Sequence, residues 1–521
     1  MFTGCGSDNG SSSAKSASAA SAASAANDTV DEDGKVNGIM YQEGLPLVDE
    51  GDYTFSIFCD DSSESGEFIM LDEFKKQTNV DVDLKIYPYE TATERLNLDL
   101  NSGDYADVIG GWTLSDNAIL TYGVNQGVFI PLEDYFEKYC PNISAILDLP
   151  GVREKMTAPD GHIYTIPYVC ADSTVGYSPY INTKWLENVG MSMPTTTDEF
   201  EAVLKAFKEQ DANGNGDASD EIPFSTDPNN KHIEAMAGYF GLPMNKLGIA
   251  IQNEKVVYGG VSDTYREFLS WFHKLYAEGL VDVELYTQDS STWEGKGNQD
   301  LYGVSIAYGS GEFTGIPAAE ERGDFDSMPV LNTDKDGIWM RDTEGFSVYR
   351  TQAVITNKAE HPEIICRWFD NAFALENGIG CNRGPVGVIV NKEDDGYHAI
   401  DTTTLSEEDQ EKYSWGNLWP QSLPKYLPTD FEFVEEHPMY DEKKATEEAY
   451  EANLTKEIIP SYWIDLDKID TFSDTNTAIK DFFEQQQAQF VCGELDIDND
   501  ADWQAYVDGM YSLGLEDWVA T

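Results

Sequence analysis

Between Tyr53 and Ile109 the hydrophobic period of the chain switches repeatedly between two and about 3.6, and this alternation narrows the fold more than any other feature. Tyr53-Thr-Phe-Ser-Ile-Phe-Cys59 alternates apolar and polar side chains, as a half-buried strand does. Residues 67–77 read as a helix, and Val80-Asp-Val-Asp-Leu-Lys-Ile86 alternates strictly again. Glu90 to Ser102 is helical, with Leu96, Leu98 and Leu100 among its apolar positions; it stops at Gly103 and gives way to the strand-like Ala106-Asp-Val-Ile109. Strands joined through helices predict an α/β fold with a parallel sheet covered by helices. Gly110-Gly111-Trp112 then lies just beyond a strand's carboxyl end, where open α/β sheets bind ligands.

Further along, Asp160 to Tyr168 reads as a turn and strand, residues 176–182 as a strand and 183–189 as a short helix. Strand character returns at 345–349 and 352–355, a helix follows over 361–374, and helical segments joined by Pro-rich loops run from 406 onward. A length of 521 residues allows two or three domains with sizeable cores. The formal charge of −62 repels nucleic acid phosphates and anionic headgroups, which excludes nucleic acid and a directly bound membrane surface as partners. Aromatics at 12% give such an acidic chain enough apolar mass to fold. Cysteines at 5, 59, 140, 170, 366, 381 and 492 form no CxxC pair, which argues against zinc and against a small disulfide scaffold. The run Phe2-Thr-Gly-Cys5-Gly-Ser has the form of a bacterial lipoprotein signal end, with Cys5 as the lipidated residue. The Ser/Ala-rich and then acidic stretch up to Gly51 buries too little to order itself and reads as a tether.

The loop Asp211-Ala-Asn-Gly-Asn-Gly-Asp217-Ala-Ser-Asp-Glu221 follows a helix whose apolar face is Phe200, Val203, Leu204 and Phe207. It offers oxygens from Asp211, Asn213, Asn215, Asp217, Asp220 and Glu221. Calcium takes six to eight such ligands at about 2.3–2.6 Å, so a structural Ca2+ is expected here. Ile222 and Pro223 then exclude the exiting helix of a full EF-hand. The competing reading is an Asn/Gly-rich turn without metal.

Several segments resemble extracellular solute-binding proteins of bacterial ABC carbohydrate importers. Leu96 to Ile109 is similar to their "helix, SGD, x, x, DVI" element, and Gly161 to Tyr168 followed by Tyr180 to Leu186 to their "GKIYGIPY … YINKDWL" region. Pro194 to Phe200 resembles "PTTWDEF", and Asp211 to Pro223 resembles "DPNGNGKADEIP", with one extra residue that leaves Asp217 or Ser219 as the intervening ligand. The order holds over most of 52–390, and the length and loop fit the long, calcium-containing subgroup with the alginate- and fructo-oligosaccharide-binding proteins. The resemblance implies a two-lobe, periplasmic-binding-protein-like architecture with a hinge cleft. It implies an anchor and tether over 1–51, an N-terminal lobe from 52–170 plus 330–385, and a C-terminal lobe from 171–329 plus 386–521 carrying the calcium loop. The expected protein is a monomer at the outer face of the cell membrane, held there only by lipid. It captures a neutral oligosaccharide and delivers it to ABC permease subunits.

Sugars offer CH faces for aromatic rings and hydroxyls for several hydrogen bonds. Ligand candidates are therefore Tyr89, Trp112, Asp116, Tyr308, Glu312, Trp339, Arg341, Trp415 and Trp419, all in loop contexts, whereas Trp185, Trp271 and Trp368 fall on helical apolar stripes and read as core. No nucleophile elbow, zinc-protease motif or phosphate loop occurs, so no catalytic residue is assigned. A secreted glycoside hydrolase and a non-transport glycan-binding module are the alternatives. The hydrolase needs one pair of carboxylates about 5–10 Å apart, which 95 acidic residues cannot single out.

Overall fold

The computed structural model describes residues 28–61, 67–228, 233–252, 255–315, 324–428, 431–434, 438–459 and 462–520. Two sheets organise it. The first contains β1 (Tyr53–Asp60), β2 (Val80–Tyr87), β3 (Val108–Gly110), β4 (Thr165–Ala171) and, from much later in the chain, β9 (Phe346–Ile355). The second contains β5 (Ser178–Asn182), β6 (Ile222–Thr226), β7 (Tyr302–Ala307) and β8 (Phe325–Ser327). Their orders are β2-β1-β3-β9-β4 and β8-β5-β7-β6.

The early strands pair in parallel, with Ile57 of β1 between Leu84 and Val108, as the alternating pattern predicts. The expectation of an all-parallel sheet needs correction. β9 runs antiparallel to both β3 and β4, because the chain re-enters this sheet from the other lobe instead of through a local helical crossover. The two strand-like runs at 345–349 and 352–355 are one strand, interrupted by a bulge between Tyr349 and Ala353.

Strand alternation decides which side chains share a core. Phe55, Ile57 and Cys59 face helices α1 (Ile69–Thr78) and α5 (Pro362–Ala372), packing with Phe74 and Trp368. Phe58 points the other way, to Leu96 and Leu100 of α2 (Tyr89–Ser102). In the second lobe, α3 (Thr197–Glu209) and α4 (Asp263–Ala277) cover the sheet through Phe200, Phe207, Phe268 and Phe272. Helix α3 begins on Thr196, whose hydroxyl accepts the Glu199 N–H at 3.2 Å, an N-cap that fixes where the helix, and thus the loop after it, must lie.

The segment 386–521 does not pack as one body. Helices α6 (Pro438–Tyr450) and α7 (Ile469–Cys492) place Tyr450, Phe483 and Phe490 in the second lobe's core. Trp419 and Leu423 instead join the first lobe's core, and Ile464 and Ile469 join the α2 side of it. Tyr426 bridges to Val169 beside β4. Among the described residues no helix is long and apolar enough to cross a membrane.

Candidate ligand cleft

The chain passes between lobes after β4 and again before β9, and a cavity of about 530 Å³ opens at these passages. Asp172, Ser173, Tyr177, Asp342, Thr343, Ser347 and Tyr349 line it together with Tyr308 and the loop from Met244 to Leu247. Asp172 ties the walls: its carboxylate accepts the Tyr308 hydroxyl at 3.1 Å and the Tyr349 hydroxyl at 2.9 Å. Tyr308 follows β7 of the second lobe and Tyr349 belongs to β9 of the first, so one carboxylate joins both sides.

Aromatic rings extend this wall over the first lobe. Tyr349 stacks on Tyr168 with centroids 5.6 Å apart and meets Trp112 edge-on at 5.3 Å. Lys425 spans the next gap, its Nζ 5.7 Å from the Tyr168 ring centroid and 5.5 Å from that of Trp415. Burial brings the Lys425 ammonium down to about 8, and its Nζ donates to Gln421 Oε1 at 2.8 Å. On the second lobe, Tyr177 lies edge-on to Tyr308 at 6.1 Å.

Charged groups on the cleft side of the second lobe are strongly perturbed. Glu312 Oε2 accepts the Tyr308 N–H at 2.9 Å; the side chain reaches solvent on one side while protein encloses the others, and this burial pushes its carboxyl up to about 7. Asp342 accepts the Gly176 N–H at 2.6 Å, and the same cause raises it to about 6. Lys443 of α6 lies 4.0 Å over the Tyr308 ring, donates to the Gly176 and Tyr308 carbonyls, and is lowered by burial to about 8. Acceptor-rich walls with flat rings suit a polyhydroxylated ligand: carboxylates accept hydrogen bonds from hydroxyls, and rings cover CH faces.

The sequence candidates fall into separate groups in the fold. Trp112, Tyr308, Glu312 and Trp415 stand on or beside the aromatic wall, with Trp112 44% and Trp415 48% exposed. Trp419 is a correction. It is fully buried, 5.1 Å from Phe74 and 5.7 Å from Trp368, so it forms no stacking platform with Trp415. Trp339 reaches the cavity but is 2% exposed and wedged between Tyr239 and Tyr450, so its ring faces are spent on core packing. Asp116 is occupied by Arg350, which donates from both Nε and Nη2 and stacks on Trp463 at 4.0 Å. Arg341 donates to Glu451 and to the Thr455 carbonyl and stays outside the cavity lining. Tyr89 opens α2, exposed and away from the cavity lining. Cys5 lies outside the described residues. Sequence reasoning missed Tyr168, Tyr177, Tyr349 and Asp172. Their signal was position, within or next to the strands that flank the lobe passages, but a two-residue period does not say which of those strands opens on a cleft.

In the loop after α3, Gly214 and Gly216 take φ of +75° and +94°, which L side chains rarely adopt. Asp211 Oδ2 accepts the Gly216 N–H at 3.0 Å, and Asn213 and Asn215 each accept an N–H two residues on. Asp220 takes the Asn213 and Asn215 amides at 3.2 and 2.7 Å. Asp217 turns to Ser219, whose hydroxyl and N–H hold its carboxylate below the usual range. Glu221 gives Oε1 to the Ala212 N–H, while its Oε2 is buried without a partner, and burial raises this carboxyl. An orphaned buried carboxylate oxygen in a ring of Asp and Asn oxygens fits a hard divalent cation. A separate group, Glu393, Asp395 and His398, lies on the exposed hairpin of β10 (Val390–Glu393) and β11 (Gly396–Ala399).

Two mixed α/β lobes facing across an aromatic cleft, joined by passages that a single carboxylate spans, define a two-lobe binding protein of the periplasmic-binding-protein type. Residues 61–378 match the model of the bacterial extracellular solute-binding proteins, and the chain belongs to that family. The fructooligosaccharide ABC transporter substrate-binding protein FusA of Streptococcus pneumoniae serotype 4 is 33% identical over 335 residues, which cover 62% of this chain and 61% of FusA. The alignment thus spans less than two thirds of that relative. The structure of FusA in complex with kestose superposes with a TM-score of 0.78 at 27% identity, covering 90% of this chain and 97% of that one. A FusA EF-hand mutant in complex with fructo-nystose gives 0.77 at 27% identity over the same shares.

Proposed function

We propose that this protein captures a neutral oligosaccharide in the cleft between its lobes and passes it, unbroken, to the permease subunits of an ABC importer. The observation that carries the reading is the 530 Å³ interlobe cavity whose Tyr308 and Tyr349 walls meet on Asp172. Trp112, Tyr168 and Trp415 extend the stacking surface on one lobe, and Tyr177 and Glu312 supply the other. The formal charge of −62 over the whole chain favours an uncharged ligand over a uronate. FusA binds kestose, and that likeness makes fructo-oligosaccharides the first class to test.

Closure would swing the two lobes about the passages at Asp172 and before β9, with Val330, Leu331 and Trp339 moving with the second lobe, whose core they join, and Trp419 and Leu423 with the first. The permease then reads the closed state. Asp211, Asn213, Asn215, Asp217, Asp220 and Glu221 would hold a structural Ca2+, whose charge satisfies the buried Glu221 oxygen and pins the loop; the FusA EF-hand mutant supports this assignment. Cys5 would carry the lipid that keeps a monomeric, non-catalytic binder at the outer face of the membrane.

The test is a thermal-shift screen with calcium against fructo-, manno-, xylo-, malto- and galacto-oligosaccharides and oligouronides. A ligand at 100 times its Kd should add about 2.7 kcal/mol. One neutral glycan recovered intact supports the reading. A shortened product moves it to hydrolysis, and tightest binding of an oligouronide overturns the neutral assignment.

A further inference from the structure

Trp112 is a large aromatic side chain left 44% exposed, and the backbone beneath it is unusually constrained. Asp60, the last residue of β1, is fully buried. Its Oδ1 accepts the Trp112 N–H at 2.9 Å, and its Oδ2 accepts the Thr113 N–H at 2.6 Å together with the Thr113 hydroxyl. Among the described residues no lysine or arginine pairs with Asp60, so this buried charge is satisfied by the loop alone. Such hydrogen bonds to an ionised acceptor are roughly twice as strong as neutral ones.

The glycine next to this contact interlocks with it. Gly111 sits at φ +133°, and a Cβ there would lie 2.3 Å from Asp60 Oδ1. The carboxylate therefore fills the space that any other side chain at 111 would need. On its other side the Gly111 N–H donates to the Gln352 carbonyl of β9 at 2.8 Å, three residues from Tyr349, whose ring meets Trp112 edge-on. The loop is thus fixed to two strands of the sheet, and only the indole projects.

We propose that Asp60 is a positioning residue for ligand capture: it never meets the sugar, and it holds Trp112 in one orientation on the cleft wall. The inference rests on the reading that Trp112 stacks on the ligand. A ring whose backbone is already fixed loses little freedom on binding, and that saving appears as affinity. It also explains the Gly110-Gly111-Trp112 sequence in physical terms, since Gly110 abuts Leu423 as tightly as Gly111 abuts Asp60.

The experiment uses the full chain labelled with 5-fluorotryptophan and read by 19F NMR, with the Trp112 line assigned by Trp112→Phe. Asp60→Asn keeps the side-chain shape but removes the charge and turns an NH2 toward the loop donors. The expected result is a shifted or broadened Trp112 line with the other ten of the 11 tryptophan lines in place. Kestose affinity is expected to fall about tenfold, equivalent to ~1.4 kcal/mol. Thr113→Val removes one donor and should move the same line by less, which keeps the question answerable if Asp60→Asn fails to fold. An unchanged Trp112 line in both variants overturns the proposal, whatever the ligand. If the line moves but Trp112→Ala binds kestose as the parent does, the positioning stands and the stacking reading of the cleft falls instead.

Discussion

Replacing Trp419 by alanine separates the two tryptophans that lie four residues apart in the sequence. Trp419 is fully buried, with Phe74 at 5.1 Å and Trp368 at 5.7 Å, and its Nε1 donates to the Leu423 carbonyl at 3.3 Å. Truncating a buried tryptophan costs about 3–5 kcal/mol, from lost transfer energy and from the cavity left behind. For a lobe of this size each kcal/mol moves the midpoint by roughly 2–4 °C, so the first lobe should melt about 10 °C lower. Trp415, 48% exposed, should show the converse: Trp415→Ala stays within about 0.5 kcal/mol of the parent in stability and binds sugar more weakly. Calorimetric melts and isothermal titration of both variants on one preparation give the four numbers needed. A Trp419→Ala melt within about 2 °C of the parent, with sugar affinity lost, would falsify the assignment of this side chain to the first lobe's core.

Two further outcomes follow from the charged groups. Burial holds Glu312 up to about 7 against an ordinary value of 4.5, so the native state keeps a proton that the unfolded chain has already released between those pH values. Stability from this group therefore declines as pH rises through about 4.5 to 7, and Glu312→Gln should melt higher than the parent at pH 8 and equally at pH 4; a pH-independent difference between the two curves contradicts this. For the loop after α3, a chelator should lower the melting temperature of the parent, and Asp211→Ala should abolish that sensitivity without changing sugar affinity. Loss of sugar binding in Asp211→Ala at full stability would place the cation in recognition instead.

The sequence by itself determined the local elements and the class of fold. The alternation at Tyr53–Cys59 and Val80–Ile86 allows one buried face per strand, and β1 and β2 form at those places because no other local structure buries Phe55, Ile57 and Cys59 together. The helical stripe Phe200, Val203, Leu204 and Phe207 is buried as its spacing predicts, and Asp211 to Glu221 follows it as a turn with glycines at positive φ. Trp185 and Trp368, read as core from their helical faces, are core.

Tertiary structure alone decided the rest, because the relevant distances join residues far apart in the chain. Nothing near Trp419 in sequence marks it as different from Trp415; Phe74 and Trp368 make it so. Arg350, 234 residues from Asp116, takes that carboxylate out of the set free for ligand. Tyr168, Tyr177 and Tyr349 look like ordinary residues within or next to strands until the second passage between lobes brings β9 beside β4 and Asp172 beneath Tyr308. Periodicity reports how a residue faces its own element. Which element it then meets is set by long-range packing, and the cleft is built entirely from such meetings.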